Sequence, residues 1–393
     1  MPTMTTHGSL AANRPTLLLA LDLGNTTWKL GFRAGGPAQP PRIRTIPARD
    51  LGALQREIVA AKRRFGLAPD APVASCFEAG RDGFWLHRAL IGHGVQNVVV
   101  DSCSIDRPVR GRSAKSDRLD TTALLDKLGH HVDGNQRGWS VVHVPSVADE
   151  DRRHLHRELT TMTWERTRLV NRIKGLLALH GVVLARRGLP RHLPVDLATW
   201  NGSALPPEIA ARIRREWRRL VFVRREVLAL IRERRERLRQ NDPADPTLPI
   251  VRRLFALRAI GEVSAWVYAS EFFAWRQFRN RRQVGAAAGL CSTRRMSGDL
   301  AQEQGISKTG NRYLRALAIE LAWSWLRRQP KSALSEWYQR RFATGGARLR
   351  RIGIVALARK LLIALWRYLE TGQLPTGAEL KPDRPTPRCP APA

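Results

Sequence analysis

Five residues of this 393-residue chain have the type and setting for phosphate chemistry. Asp22 closes the apolar run 17–21, and Glu78 closes a second apolar run, 72–77. Asp117 and Asp120 lie three apart in Lys115-Ser116-Asp117-Arg118-Leu119-Asp120, a spacing that gives both one face of a helix. Ser297 sits in Met296-Ser297-Gly298. Carboxylates that hold two divalent ions about 4 Å apart can activate a nucleophile and stabilise the leaving oxygen of a phosphoryl transfer. Magnesium suits such an all-oxygen set, with manganese as its substitute. A serine hydroxyl is a weak nucleophile that needs a base or a metal beside it. No Ser/His/Asp arrangement is visible, so the carboxylates are its natural activators.

Each residue also has a local reading. Asp117 suits a helix N-cap, Glu78 a strand end, and Ser297 an ordinary turn beside a glycine. Ser292 and Ser307 are fallback nucleophiles, although Ser307 reads better as the cap of a helix that starts near Asn311. The specific signal is the order of the acids: strand, strand, helix.

The elements that must position them form three regions. Strand patterns over 16–22, 27–33, 72–78, 97–101 and 140–144 alternate with helical stretches at 49–65 and 83–93, which predicts an α/β domain around one sheet across 15–146. Gly24-Asn25-Thr26 marks a hairpin turn between the first two strands. Leu155, Leu159, Met162, Leu169, Ile173 and Leu176 then keep heptad spacing, as do Ile213, Trp217, Leu220, Val227, Ile231 and Leu238. This predicts a coiled-coil region over 147–240, paired within the chain or with another subunit. Residues 186–207 are rich in proline and read as a loop. A linker at 240–248 precedes an all-helical domain, 249–372. Residues 1–14 and the proline-rich tail 373–393 are expected without order.

Charge narrows the partner. Sixty-seven Lys and Arg against 34 Asp and Glu leave a net charge of +33, an excess that attracts nucleic-acid phosphates. Residues 208–239 alone hold twelve Arg against five Glu, which fits either ion pairs along a solvated helix or a nucleic-acid face. No apolar run reaches the roughly 18–20 residues of a membrane span. The four cysteines make no Cys-x-x-Cys pair, Cys76 reads as a core residue, and nothing asks for an oxidising compartment, so the expected location is the cytoplasm. Lys115 and Arg118 stand where they could neutralise a phosphate at the acids. Gly261, in Ala259-Ile260-Gly261-Glu262-Val263, resembles the turn of a helix-hairpin-helix. Arg312 and Arg315 near a helix start, and Arg348, Arg350 and Arg351 before the last apolar helix, are candidate phosphate contacts. The twelve tryptophans are left to the core.

Asp22, Glu78 and the Asp117/Asp120 pair, in this order, resemble the DEDD signature of bacterial insertion-sequence transposases. At the glutamate that family shows an Ile-Glu-Ala-Thr-Gly type segment, where this chain has Phe77-Glu78-Ala79-Gly80-Arg81. A second resemblance lies in the run 278–290, the Ser297-Gly298 pair and Gly305-Ile306-Ser307-Lys308-Thr309-Gly310-Asn311. By position Ser297 matches the family's serine nucleophile, beside Met296 where many members carry a polar or acidic residue. The resemblance covers roughly 16–372. It implies an RNase H-like (RuvC-like) sheet domain followed by helical regions, Mg²⁺ held by the four acids, and attack of Ser297 on a DNA phosphodiester. Nucleic-acid contacts would include Lys308, Asn311, Arg312 and Arg315. It further implies donor and target DNA chosen by a guide RNA encoded in the element. The assembly would be a dimer that becomes a tetramer, in a nucleoid-associated bacterial protein. Two other functions fit single features. Residues 20–27 resemble the phosphate turn of actin-like small-molecule kinases, but the second glycine-rich phosphate segment those need is missing. A junction-resolving endonuclease would use the same acids with water as nucleophile. A decayed, binding-only protein would not keep all four acids and the serine.

Overall fold

The computed structural model describes residues 15–34, 40–101, 117–135, 139–182, 189–190, 192–193, 197–240, 242–297, 300–308 and 310–382, with backbone alone at 117–120, 293–297 and 300–304. The chain divides into two compact units, 1–144 and 145–393. The expected order or disorder of residues 1–14 lies outside the described residues, as does Lys115.

The first unit is built on a five-stranded mixed sheet in the order β3-β2-β1-β4-β5. Its strands are β1 (Leu17–Leu23), β2 (Thr27–Ala34), β3 (Arg42–Pro47), β4 (Val73–Glu78) and β5 (Gln96–Val100). β1 pairs antiparallel with β2 and parallel with β4, and β4 pairs parallel with β5. β1 is buried on both sides, which explains its nearly unbroken apolar run. Leu17, Leu19 and Leu21 face a core shared with α1 (Leu51–Arg64) and α2 (Trp85–Gly92). Leu18 and Ala20 face the other way, with Ala74, Cys76 and Val100, onto Leu124, Leu125 and Leu128 of α3 (Asp117–Val132). Asp50 caps α1 by accepting from the Ala53 amide at 2.8 Å.

Two expectations for this sheet change. β3 was not foreseen, because Arg42, Arg44 and Thr45 break its apolar pattern. It is the outer strand beside β2, where one face needs no apolar residues. The expected strand 140–144 makes only a single bridge, Val141 to Val100, supported by Val142 N–H donating to Val99 O at 2.8 Å.

The second unit begins with α4 (Val147–Asp151) and continues into α5 (His154–Ala178) and α6 (Pro207–Gln240). The predicted seams meet one another within the chain: Leu155, Leu159, Leu169, Ile173 and Leu176 pack with Ile213, Trp217, Leu220 and Val227. Arg172 pairs with Glu216, and the same groove sets Leu169 beside Phe222, so the two helices run antiparallel. Leu238 leaves this seam and packs on the C-terminal core.

That core is formed by α7 (Thr247–Ala256), α8 (Glu262–Tyr268), α9 (Arg281–Ala287), α10 (Arg312–Arg328), α11 (Ala333–Tyr338) and α12 (Ala347–Thr371). Single π-helical turns extend α8 over Ala269–Phe273 and α11 over Gln339–Ala343. The region is not all-helical as expected. β6 (Ser292–Ser297) and β7 (Leu300–Ile306) form an antiparallel hairpin whose many polar residues hid it from the apolar pattern. The tail also departs from expectation. Residues 374–382 lie on the core: Glu379 N–H donates to Gln329 Oε1 at 2.9 Å, Leu380 bridges Leu257, and Lys381 Nζ donates to Ile260 O at 2.7 Å. No described helix is long and apolar enough to cross a membrane.

Candidate active site

Two of the four acids are brought side by side by strand register. Leu17 to Leu21 of β1 pair in order with Val73 to Phe77 of β4, and one further step sets Asp22 next to Glu78. Side chains alternate along a strand, so residues 18, 20 and 22 of β1 and 74, 76 and 78 of β4 share the face that α3 covers. Asp22 is half-buried and Glu78 is exposed, as the ends of inner strands require. Lys29 stands directly across from Asp22 on β2, which places a cation beside the acid.

α3 carries the other two. Thr121, Leu124, Leu125 and Leu128 form its buried stripe, and position 117 continues that stripe by one turn while 120 falls on its flank. The direction of the helix follows from two glycines. A Cβ on Gly129 would lie 3.5 Å from Leu18, and a Cβ on Gly31, which pairs with Ala20, would lie 2.5 Å from Thr121. Going backwards from 129 to 121, α3 moves from the level of residue 18 on β1 to that of residue 20. Its first turn, with Asp117 and Asp120, therefore heads for the edge where Asp22 and Glu78 end their strands. Arg118 is in the same turn. The side chains of 117, 118 and 120 are outside the described set. Among the described residues no group of three or more His, Cys, Asp or Glu comes close enough to hold a metal. The donors themselves fit magnesium, being hard carboxylate oxygens on the ends of rigid strands.

Asp101 is a nearby acid the sequence reading did not weigh. It follows β5 directly, but Val98 and Val100 face α3 while Val99 faces the other core. Alternation sends residue 101 to the side opposite Asp22 and Glu78. Cys76 is a fully buried core residue, as expected, and burial pushes its thiol far above the ordinary range.

In the second unit Ser297 ends β6, paired with Leu300 at the tip of the hairpin. The base of the hairpin is well fixed. Ser307 N–H donates to Cys291 O at 2.8 Å, and Lys308 N–H to Gly289 O at 3.2 Å. Gly310 has φ +74°, and a Cβ there would fall 2.6 Å from Ala287 O, so only glycine fits. Lys308 itself adopts φ 56° and is exposed. Asn311, not Ser307, caps α10: its side chain accepts from the Tyr313 and Leu314 amides at 2.8 and 3.3 Å. Arg312 is exposed and Arg315 half-buried in the first turn of that helix. Gly261 is the N-cap of α8 with an ordinary extended backbone and open space around its Cα.

The arginine surplus of α6 splits between both readings. Glu216 holds Arg172 and Arg219, Glu233 holds Arg237, Glu236 holds Arg239, and Glu262 holds Arg234 and Arg235. Arg212, Arg214 and Arg215 belong to none of the ion pairs between described residues.

A buried charge cluster went unnoticed in the sequence. Glu271, in the π-turn after α8, accepts from His156 Nε2 at 3.0 Å and from Arg157 at 2.5 and 2.9 Å, with Arg153 at 3.8 Å. Burial alone would raise its pKa, but the hydrogen bonds from His156 and Arg157 prevail and hold it at about 2. Arg276, stacked on Trp275, is pushed down to about 10 by burial. An acid inside the apolar stretch 263–275 was the available signal.

A profile described as "Transposase IS116/IS110/IS902 family" matches residues 251–339, which include the hairpin and the Asn311 cap. The y4rJ protein of Sinorhizobium fredii, named as a transposase, is 37% identical over 376 residues, covering 93% of this chain and 94% of its own length. The transposase for insertion sequence element IS1328 of Yersinia enterocolitica is 24% identical over 64% of this chain and 70% of its own. That for element IS1111A of Coxiella burnetii is 24% identical over 72% and 74%.

Proposed function

The chain belongs to the IS116/IS110/IS902 family of transposases, and on that premise we propose that it moves its element by a serine nucleophile working with metal-bound carboxylates. It is the transposase of an insertion sequence, and DNA is its partner. Family membership sets aside the kinase reading.

In this proposal the first unit is an RNase H-like (RuvC-like) domain. Its support is the strand order β3-β2-β1-β4-β5, with α3 laid on the face that carries the acids. Asp22, Glu78, Asp117 and Asp120 hold Mg²⁺, which when bound neutralises charge developing on the phosphate. The observation that carries the reading is the β1/β4 register, which sets Asp22 beside Glu78 on the edge toward which α3 starts. Ser297 Oγ attacks the phosphorus of a DNA phosphodiester. The Oγ–P bond forms and the P–O bond to one DNA strand breaks. The serine proton passes to a carboxylate or water, and the departing strand oxygen takes up a proton. Attack by a hydroxyl of the exchanged strand then reverses these bonds and returns free serine. The acids and Ser297 lie in different units, and the family resemblance supports an active complex that brings an acid set and a serine together in a homo-oligomer, a dimer that becomes a tetramer on two duplexes.

A guide RNA encoded by the element is part of the proposal, supported by the family resemblance and the +33 charge. Its test is recombination of a plasmid pair by purified protein, with and without RNA transcribed from the gene's flank and with and without Mg²⁺. In that assay Asp22→Asn, Glu78→Gln, Asp117→Asn and Asp120→Asn should each lose at least about a hundredfold in rate, the scale on which charge stabilisation works in phosphoryl transfer. Wild-type rates in two or more of them would end the metal-site assignment.

A further inference from the structure

The longest acid-free stretch of the second unit's helical core is not explained by its packing. Residues 337–369 contain eight Arg and Lys and no Asp or Glu. Five of the eight are gathered at one place. Arg340 and Arg341 lie in the π-helical turn after α11, and Arg348, Arg350 and Arg351 lie in the first turns of α12. All five are exposed. None belongs to an ion pair between described residues, in contrast to Arg219, Arg234, Arg235, Arg237 and Arg239 of α6.

The fold holds these two segments together. A Cβ on Gly353 would fall 2.4 Å from the Phe342 ring, so glycine alone lets the π-turn lie against α12. Tyr338 Oη donates to Arg350 O at 3.4 Å, and Gly345 N–H to Phe342 O at 3.2 Å. Five like charges held this close repel one another, and nothing in the segment offsets that cost. A surface of this kind is stabilised when a polyanion covers it.

The same helix leads to the candidate serine. Further along α12, Arg359 Nε would lie 2.8 Å from a Cβ on Gly285, and Cys291 Sγ would lie 3.2 Å from it. Cys291 directly precedes β6, the strand that ends at Ser297. From Arg350 to Arg359 a helix advances about 14 Å at its usual rise.

We propose that Arg340, Arg341, Arg348, Arg350 and Arg351 form a clamp on the backbone of duplex DNA, at the start of the helix that leads to the hairpin base. The clamp rests on DNA being the partner of the family, not on Ser297 being the nucleophile. It reads phosphate charge, not base sequence.

The test is equilibrium binding of a short mixed-sequence DNA duplex to the full-length protein over a range of salt concentrations. Each phosphate contact contributes about 0.9 to the slope of log affinity against log salt. The variant with all five arginines changed to glutamine should lower that slope by at least about two, while melting at the wild-type temperature. The variant with all five changed to lysine keeps the charge and should keep most of the slope. A glutamine variant with the wild-type slope would overturn the proposal. So would a lysine variant as impaired as the glutamine one, since the contacts would then not be phosphate charge. Weakened binding of a hairpin RNA with unchanged duplex binding would make RNA the occupant and refute the clamp. Covalent attachment to DNA, lost in Ser297→Ala, is scored separately, so failure of the serine reading leaves this result intact.

Discussion

Asp22 shows how one residue carries both a structural and a chemical assignment. Lys29 lies across from it and Glu78 beside it, so the acid stands between a cation and a like charge. A half-buried cross-strand pair of this kind is worth only about 0.2–1 kcal/mol. Asp22→Asn should therefore leave the melting temperature within a few degrees while abolishing recombination, and calorimetry beside the activity assay checks both. Loss of folding with Asp22→Asn would make the acid structural. Glu271 is the opposite case. Its pKa is held at about 2 against an ordinary 4.5, so the fold favours the ionised form. That contribution, about 3 kcal/mol at 1.36 kcal/mol per unit, is complete above pH 4.5 and is lost as pH falls toward 2. Glu271→Ala leaves Arg157, Arg153 and His156 facing a vacancy and should cost about 3–5 kcal/mol at neutral pH. Denaturant unfolding of the second unit measures it. A variant as stable as wild type at pH 7 would show that the cluster adds nothing.

At the scale of elements, the close approach of Gly310 to Ala287 is fixed by backbone geometry. Gly310→Ala meets both a left-handed φ and the Ala287 carbonyl, so a loss of about 2 kcal/mol or more is expected. The loss should appear as a lower thermal midpoint, and an unchanged midpoint would contradict the tight approach seen there. Elements of this chain were legible where burial imposes a period. β1, β2, β4 and the α5–α6 seam fall where the leucine and valine spacing put them. β3 and the β6–β7 hairpin were not legible, because an edge strand and a polar hairpin bury too little to leave a pattern. The cap of α10 was misread as Ser307, since both Ser307 and Asn311 are good caps and only backbone geometry decides between them. The tail at 374–382 carries prolines that suggest disorder, yet its order comes from backbone contacts with Gln329 and Leu257 that composition does not encode. The candidate site was half legible: acids at strand ends can be read from sequence, but their common face follows only from the register of β1 with β4.

For the whole molecule, two units and a net charge of +33 define the problem. The acids belong to one unit and the serine to the other, and the proposed assembly joins them across subunits. If the joining is between chains, Asp22→Asn and Ser297→Ala proteins, each inactive alone, should regain part of the activity when mixed. No recovery at any ratio would place acid set and serine on the same chain. The most direct measurement is mass spectrometry of the protein trapped on DNA during strand exchange and digested to peptides. A nucleotide bonded through phosphate to Ser297, present with magnesium and missing from Asp22→Asn and Glu78→Gln, is the expected result. Cleaved DNA with an unmodified Ser297, or an adduct on Ser292 or Ser307, would contradict it.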